Sequence, residues 1–104
     1  MDESIVRAVD ERRLLELGYG GFSRVVEPHA YGVDRRGDEV LLCWQVSGGS
    51  GSGERTGWKL LKLREAASVT ALRTDFVVRE GFAADPPRAI ARLYARVPAA
   101  AAGT

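Results

Sequence analysis

The sequence predicts a mainly β domain, a small barrel or curled sheet of about five short strands with a short helix at each end. Three observations carry this reading. Short apolar or alternating segments recur through the first three-quarters of the chain, separated by Gly, Pro and Asp turn signals. Two of them, Val40–Val46 and Trp58–Leu63, flank a Gly/Ser stretch and read as a hairpin. The chain has 104 residues, room for one core, and curling the sheet hides edges that free strands would expose.

Taken in order, residues 4–11 form the first helix. Ile5, Ala8 and Val9 recur at helical spacing, Ser4 is placed to cap, and Asp2 and Glu3 suit the positive helix end. Residues 12–19 fit a continued helix or a strand; the alternation of Leu15, Leu17 and Tyr19 favours a strand, with Gly20-Gly21 as a hairpin turn. Phe22–Val33 is a strand interrupted by Pro28, which donates no ladder hydrogen bond, so the strand lies at an edge or bends there. Asp34–Asp38 is a polar turn. Val40–Val46 is continuously apolar and reads as a strand buried on both faces.

Ser47–Gly57 is too rich in glycine to hold regular structure alone and is expected to be a flexible flap. Trp58–Leu63 returns as a strand, residues 64–67 form a turn or one helical turn, and Ser68–Phe76 closes the sheet with Val69, Ala71 and Leu72 inward. Asp85-Pro86-Pro87 suits a helix start, and Ile90, Leu93, Tyr94 and Val97 then share one helical face; a strand through Leu93, Ala95 and Val97 is the rival. Residues 1–97 are expected to form a single domain and 98–104 a disordered tail.

Composition narrows the function classes. Fifteen Lys+Arg stand against 14 Asp+Glu, so any basic site is local rather than a property of the whole surface. One cysteine excludes a disulfide framework and a zinc site built on paired cysteines. No apolar run approaches a membrane span, and the acidic N-terminus does not resemble a secretory signal, so a cytoplasmic protein with no membrane partner is expected. No cofactor is expected. The Gly/Ser stretch leads into a strand and lacks a following Lys-Ser/Thr, so it fails the context of a phosphate-binding P-loop. A Cys43–His29 nucleophile pair is the only catalytic arrangement available, and a lone cysteine in an apolar strand is more often a small core residue; the protein reads as non-enzymatic.

The remaining candidates gather where the hairpin opens. Pairing the two arms about a loop centred on Ser52 places Gln45 opposite Lys59, Cys43 opposite Leu61 and Leu41 opposite Leu63, all on one face. Gln45 and Lys59 then cap a core ladder at its loop end, whereas a one-residue slip would turn Lys59 to the other face. Lys59 either snorkels at a rim or contacts a ligand. Arg24 either pairs with Glu27 at the surface or sets a guanidinium beside Lys59, suited to phosphate or carboxylate. Tyr31 and Trp58 either fill the core or stack on a base. Trp44, on the face opposite Gln45, is expected against a terminal helix, and His29 to pack at a strand end.

Arg24-Val-Val-Glu-Pro28 followed by Tyr31-Gly32, the Leu-rich strand 40–46, the variable loop, and Trp58-Lys59-x-Leu61-x-Leu63 together resemble the WYL domain family over residues 5–76. The namesake Trp-Tyr-Leu tripeptide is represented by Val40-Leu41-Leu42, the usual Arg of the next strand by Lys59 and the usual Phe by Leu61. The resemblance implies an Sm-like (SH3-like) β-barrel and a non-enzymatic module that binds nucleic acid or nucleotide-like ligands in bacterial transcription regulation. It implies Arg24 and Lys59 as basic ligand contacts, with Tyr31 and Gln45 as neighbours. Residues 1–11 are too short for a helix-turn-helix, so regulation would act through a separate DNA-binding protein. The competing expectation is a structural or interaction domain, acting as a homo-oligomer or partner-binding module without a small ligand.

Overall fold

The computed structural model describes residues 1–49, 56–82 and 88–98. The centre of the Gly/Ser loop, the Asp85-Pro86-Pro87 helix start and the tail from residue 99 lie outside the described residues. A helix α1 (Glu3–Glu11) precedes strands β1 (Arg13–Tyr19), β2 (Phe22–Val33), β3 (Glu39–Gly48) and β4 (Gly57–Lys62). A 3-10 turn (Leu63–Glu65) leads into β5 (Ala66–Asp75), and β6 (Arg92–Arg96) ends the described chain. The strands form one six-stranded antiparallel sheet, ordered β4-β3-β2-β1-β5, with β6 paired to β2 off that path. No pairing joins β4 to β5 among the described residues, so the hydrogen-bonded sheet is open rather than a closed barrel.

β2 is the pivot. β3 runs along one edge of it from Arg24 to Val33. The other edge is shared: β1 pairs with Phe22–Val26 and β6 with Ala30–Val33. Pro28 falls in the gap between those two partners, where no N–H is needed, and the β2–β3 register shifts between Pro28 and Ala30. The strand therefore bends at Pro28 and is not an edge.

The expected C-terminal helix is replaced by β6, the strand alternative. Beyond Pro28 the β2 edge carries unpaired backbone, and β6 pairs with it; Ala91 N–H to Val33 O (2.8 Å) and Val97 N–H to His29 O (2.9 Å) extend the ladder at both ends. Satisfying those groups outweighs the helix propensity of an Ala/Arg/Leu-rich segment. The close approach needs Gly32: a Cβ there would sit 2.2 Å from Arg92 O and 2.6 Å from Ile90 Cγ2.

The first helix and hairpin follow their local chemistry. Asp2, not Ser4, is the N-cap: its carboxylate accepts the Ser4 N–H at 2.9 Å and the Ser4 hydroxyl at 2.6 Å. Arg12 ends the helix with φ 55°. Gly20 and Gly21 both take positive φ, as a two-residue hairpin turn of matching twist requires.

Ile5, Ala8 and Val9 bury the inner face of α1 against Leu15, Leu17, Val26, Tyr31, Val40, Leu41 and Val97. On β3, Leu41, Cys43 and Gln45 are buried while Leu42, Trp44 and Val46 are half-buried, so the strand alternates rather than being buried on both faces. β5 is an exposed edge: Ala71 is exposed, and of the three residues expected inward only Val69 and Leu72 are half-buried.

Candidate ligand site at the loop end of the sheet

The β3–β4 register differs from the expected one by two residues. Leu41 lies opposite Leu61, Cys43 opposite Lys59 and Gln45 opposite Gly57. A two-residue shift preserves the face, so Lys59 stays on the inner side with Cys43 and Gln45. The shift places Trp44 opposite Trp58 on the outer face, with ring centroids 5.5 Å apart in an edge-to-face contact.

Arg24 enters this cluster from β2. It is 5% exposed, not a rim residue, and its Nη1 donates to Gln45 Oε1 at 3.3 Å. Gln45 is fully buried and its Nε2 donates to Gly49 O at 3.1 Å. The guanidinium carbon lies 4.9 Å from the Tyr19 ring centroid. Arg24 Nε is buried without a hydrogen-bond partner. Among the described residues no carboxylate reaches ion-pair distance of Arg24; Glu27, the expected surface partner, pairs with Arg79 instead.

Cys43 lies opposite Lys59 and within electrostatic reach of Arg24. Burial pushes its thiol up to about 12, partly offset by the positive charges of Arg24 and Lys59. Its Sγ lies 3.8 Å from Lys59 O, the contact of a core residue. His29 is on the other side of the sheet, against Trp58, so the Cys43–His29 nucleophile pair is not assembled.

Two predicted contacts lie elsewhere. Tyr31 is fully buried, seven residues along β2 from Arg24, a separation of roughly 20 Å in an extended strand. Its hydroxyl accepts the Asp2 N–H at 2.8 Å and donates to Glu39, whose carboxylate also holds the Met1 amino group at 3.0 Å. Tyr31 thus anchors the start of α1. Trp58 is half-buried on the outer face, with His29 at 4.9 Å, Trp44 at 5.5 Å and Phe82 at 6.2 Å between ring centroids. The structure therefore brings Arg24, Gln45 and Lys59 together and leaves Tyr31 and Trp58 out.

The outer face carries a second constellation that sequence reasoning missed. The irregular segment 76–82 crosses it as a strap. Arg79 donates to both Glu27 oxygens, at 3.1 and 2.8 Å, and its guanidinium lies 4.5 Å from the Trp44 ring centroid. Trp44 thus packs on Trp58 and Arg79 instead of a terminal helix. His29 Nδ1 is 2.8 Å from Glu27 O, and the Arg79 backbone N–H is 2.9 Å from His29 Nε2. A carbonyl can only accept and an N–H can only donate, so the ring is neutral with its proton on Nδ1. Burial holds the His29 pKa below the ordinary histidine range, opposed by the Glu27 carbonyl and carboxylate and reinforced by Arg79.

Among the described residues no group of His, Cys, Asp and Glu could hold a metal ion, and no helix is long and apolar enough to cross a membrane. No protein-family model, curated protein or solved structure matches this chain.

Proposed function

We propose that this protein is a non-enzymatic, WYL-like binding module that takes a phosphate-bearing ligand, a nucleotide or single-stranded nucleic acid, at the loop end of its inner face. One observation carries the reading: Arg24 is a buried cation with an unpartnered Nε and, among the described residues, no carboxylate counter-charge. A buried guanidinium that lacks a counter-charge is destabilised by several kcal/mol, and an anion delivered to Arg24 beside Lys59 would supply that charge. Gln45 fixes the guanidinium, and Tyr19 backs its other face. The strand order β4-β3-β2-β1-β5, the 3-10 turn before β5 and the packed N-terminal helix favour an Sm-like reading of the sheet. In that reading the protein is cytoplasmic and takes part in transcription regulation in bacteria.

Native mass spectrometry of the purified protein tests this. Wild type should carry a phosphate-containing species that Lys59→Ala loses. No copurified anion in wild type, or a phosphate-containing species that Lys59→Ala retains in full, would overturn the proposal.

A second reading has its own observation. β4 and β5 each leave one edge unpaired among the described residues, and Leu60 on β4 is 46% exposed. A homo-oligomer or partner complex built on those edges would be a concentration-dependent species in sedimentation, indifferent to oligonucleotide.

A further inference from the structure

The strap across the outer face holds its arginine as a binding site holds a ligand. Glu27 is 7% exposed and offers both carboxylate oxygens to one guanidinium, while Trp44 supplies the ring face beside it. Bidentate pairing and stacking are the two features that distinguish a guanidinium from an ammonium. The group that fills this notch comes from a segment with no ladder of its own. Between Phe76 N–H to Arg12 O and Phe82 N–H to Arg79 O, the described backbone hydrogen bonding of the strap to the sheet reduces to Arg79 N–H on His29 Nε2. Val77 is 88% exposed, and a cleft of about 550 Å³ runs beneath the strap beside Glu27, Val46 and Leu14. A receptor fixed on two paired strands is thus filled by a segment that joins no strand ladder and is held instead by side chains, Phe76 and Phe82 packing on His29 at its two ends and Arg79 in the notch between them.

We propose that the Glu27–Trp44 notch is a guanidinium receptor that the chain keeps filled with its own Arg79, and that an arginine side chain in an extended segment of a partner protein enters it when the strap lifts. The strap then acts as an internal competitor. It sets a threshold that a partner must exceed, and the partner's affinity is reduced by the fraction of molecules in which the strap is closed. The site is separate from the Arg24–Lys59 cluster, on the opposite face of the sheet, and does not rest on ligand binding there.

The test uses the full chain with methylguanidinium as probe and the fluorescence of Trp44 and Trp58 as readout. Arg79→Ala should bind methylguanidinium saturably, with methylammonium at least tenfold weaker, and Glu27→Gln added to it should abolish binding. A peptide copying residues 76–82 should bind Arg79→Ala more tightly than its Arg-to-Lys counterpart. Equal response to the two cations, or binding that survives Glu27→Gln, overturns the proposal. Should Arg79→Ala not fold, wild type carries the test: methylguanidinium should speed hydrogen exchange of the Arg79 amide relative to the same concentration of methylammonium, and equal exchange contradicts the receptor.

Discussion

At the scale of single residues, burial sorts the candidates. Arg24, Gln45 and Tyr31 are polar groups inside the molecule, and each acts through a defined partner. Tyr31→Phe keeps the ring and removes the hydroxyl that joins Asp2 to Glu39, so it should cost about 1–2 kcal/mol in urea unfolding and leave any oligonucleotide affinity unchanged. An affinity loss with intact stability would instead return Tyr31 to the ligand site. His29 is the chain's one histidine and is held neutral. Its folded pKa is depressed, so the unfolded chain binds its proton more readily. The contribution is complete above the ordinary value of 6.5 and is lost as pH falls below it. Thermal melts should show a midpoint falling between about pH 7 and pH 5, and His29→Gln should flatten that segment of the profile. A wild-type profile already flat there would show that the buried ring does not govern acid stability.

At the scale of elements, the legible and illegible parts separate by range. Alternation marks β1, a continuous apolar run marks β3, and the parity of β4 follows because which face a strand residue occupies is a local property, although β3 itself alternates rather than being buried on both faces. The β3–β4 register was not legible, since it depends on how the loop closes and on Trp44 meeting Trp58. β6 was legible only as a rival, because its strand state comes from the β2 edge left open beyond Pro28, sixty residues earlier in the sequence. The Glu27–Arg79 pair, 52 residues apart, had no signal in a segment without periodicity. Gly32→Ala tests the β6 assignment. The new Cβ meets backbone oxygen, which has no rotamer to yield, so β6 must shift at a cost of about 2–3 kcal/mol. Denaturant unfolding should register that loss, with faster hydrogen exchange at Ala91 and Val97. Wild-type stability and exchange would place β6 elsewhere.

At the scale of the whole molecule, the sheet presents two faces with different tasks. The inner face holds the apolar core, ending in Arg24, Gln45 and Lys59; the outer face holds Trp44, Trp58 and His29 under the strap. With a formal net charge of +1, long-range attraction to nucleic acid is weak, so binding there rests on the local cations. That makes the salt dependence small and countable. Two phosphate contacts predict that affinity for a short single strand falls roughly five- to tenfold between about 50 and 200 mM salt, and that Lys59→Ala halves the slope of log affinity against log salt. The decisive measurement is that titration, run on both proteins by fluorescence anisotropy. A slope of about −1.4 falling to about −0.7 in the variant supports an anion held by Arg24 and Lys59. Affinity that ignores salt, or a slope that Lys59→Ala leaves unchanged, contradicts it.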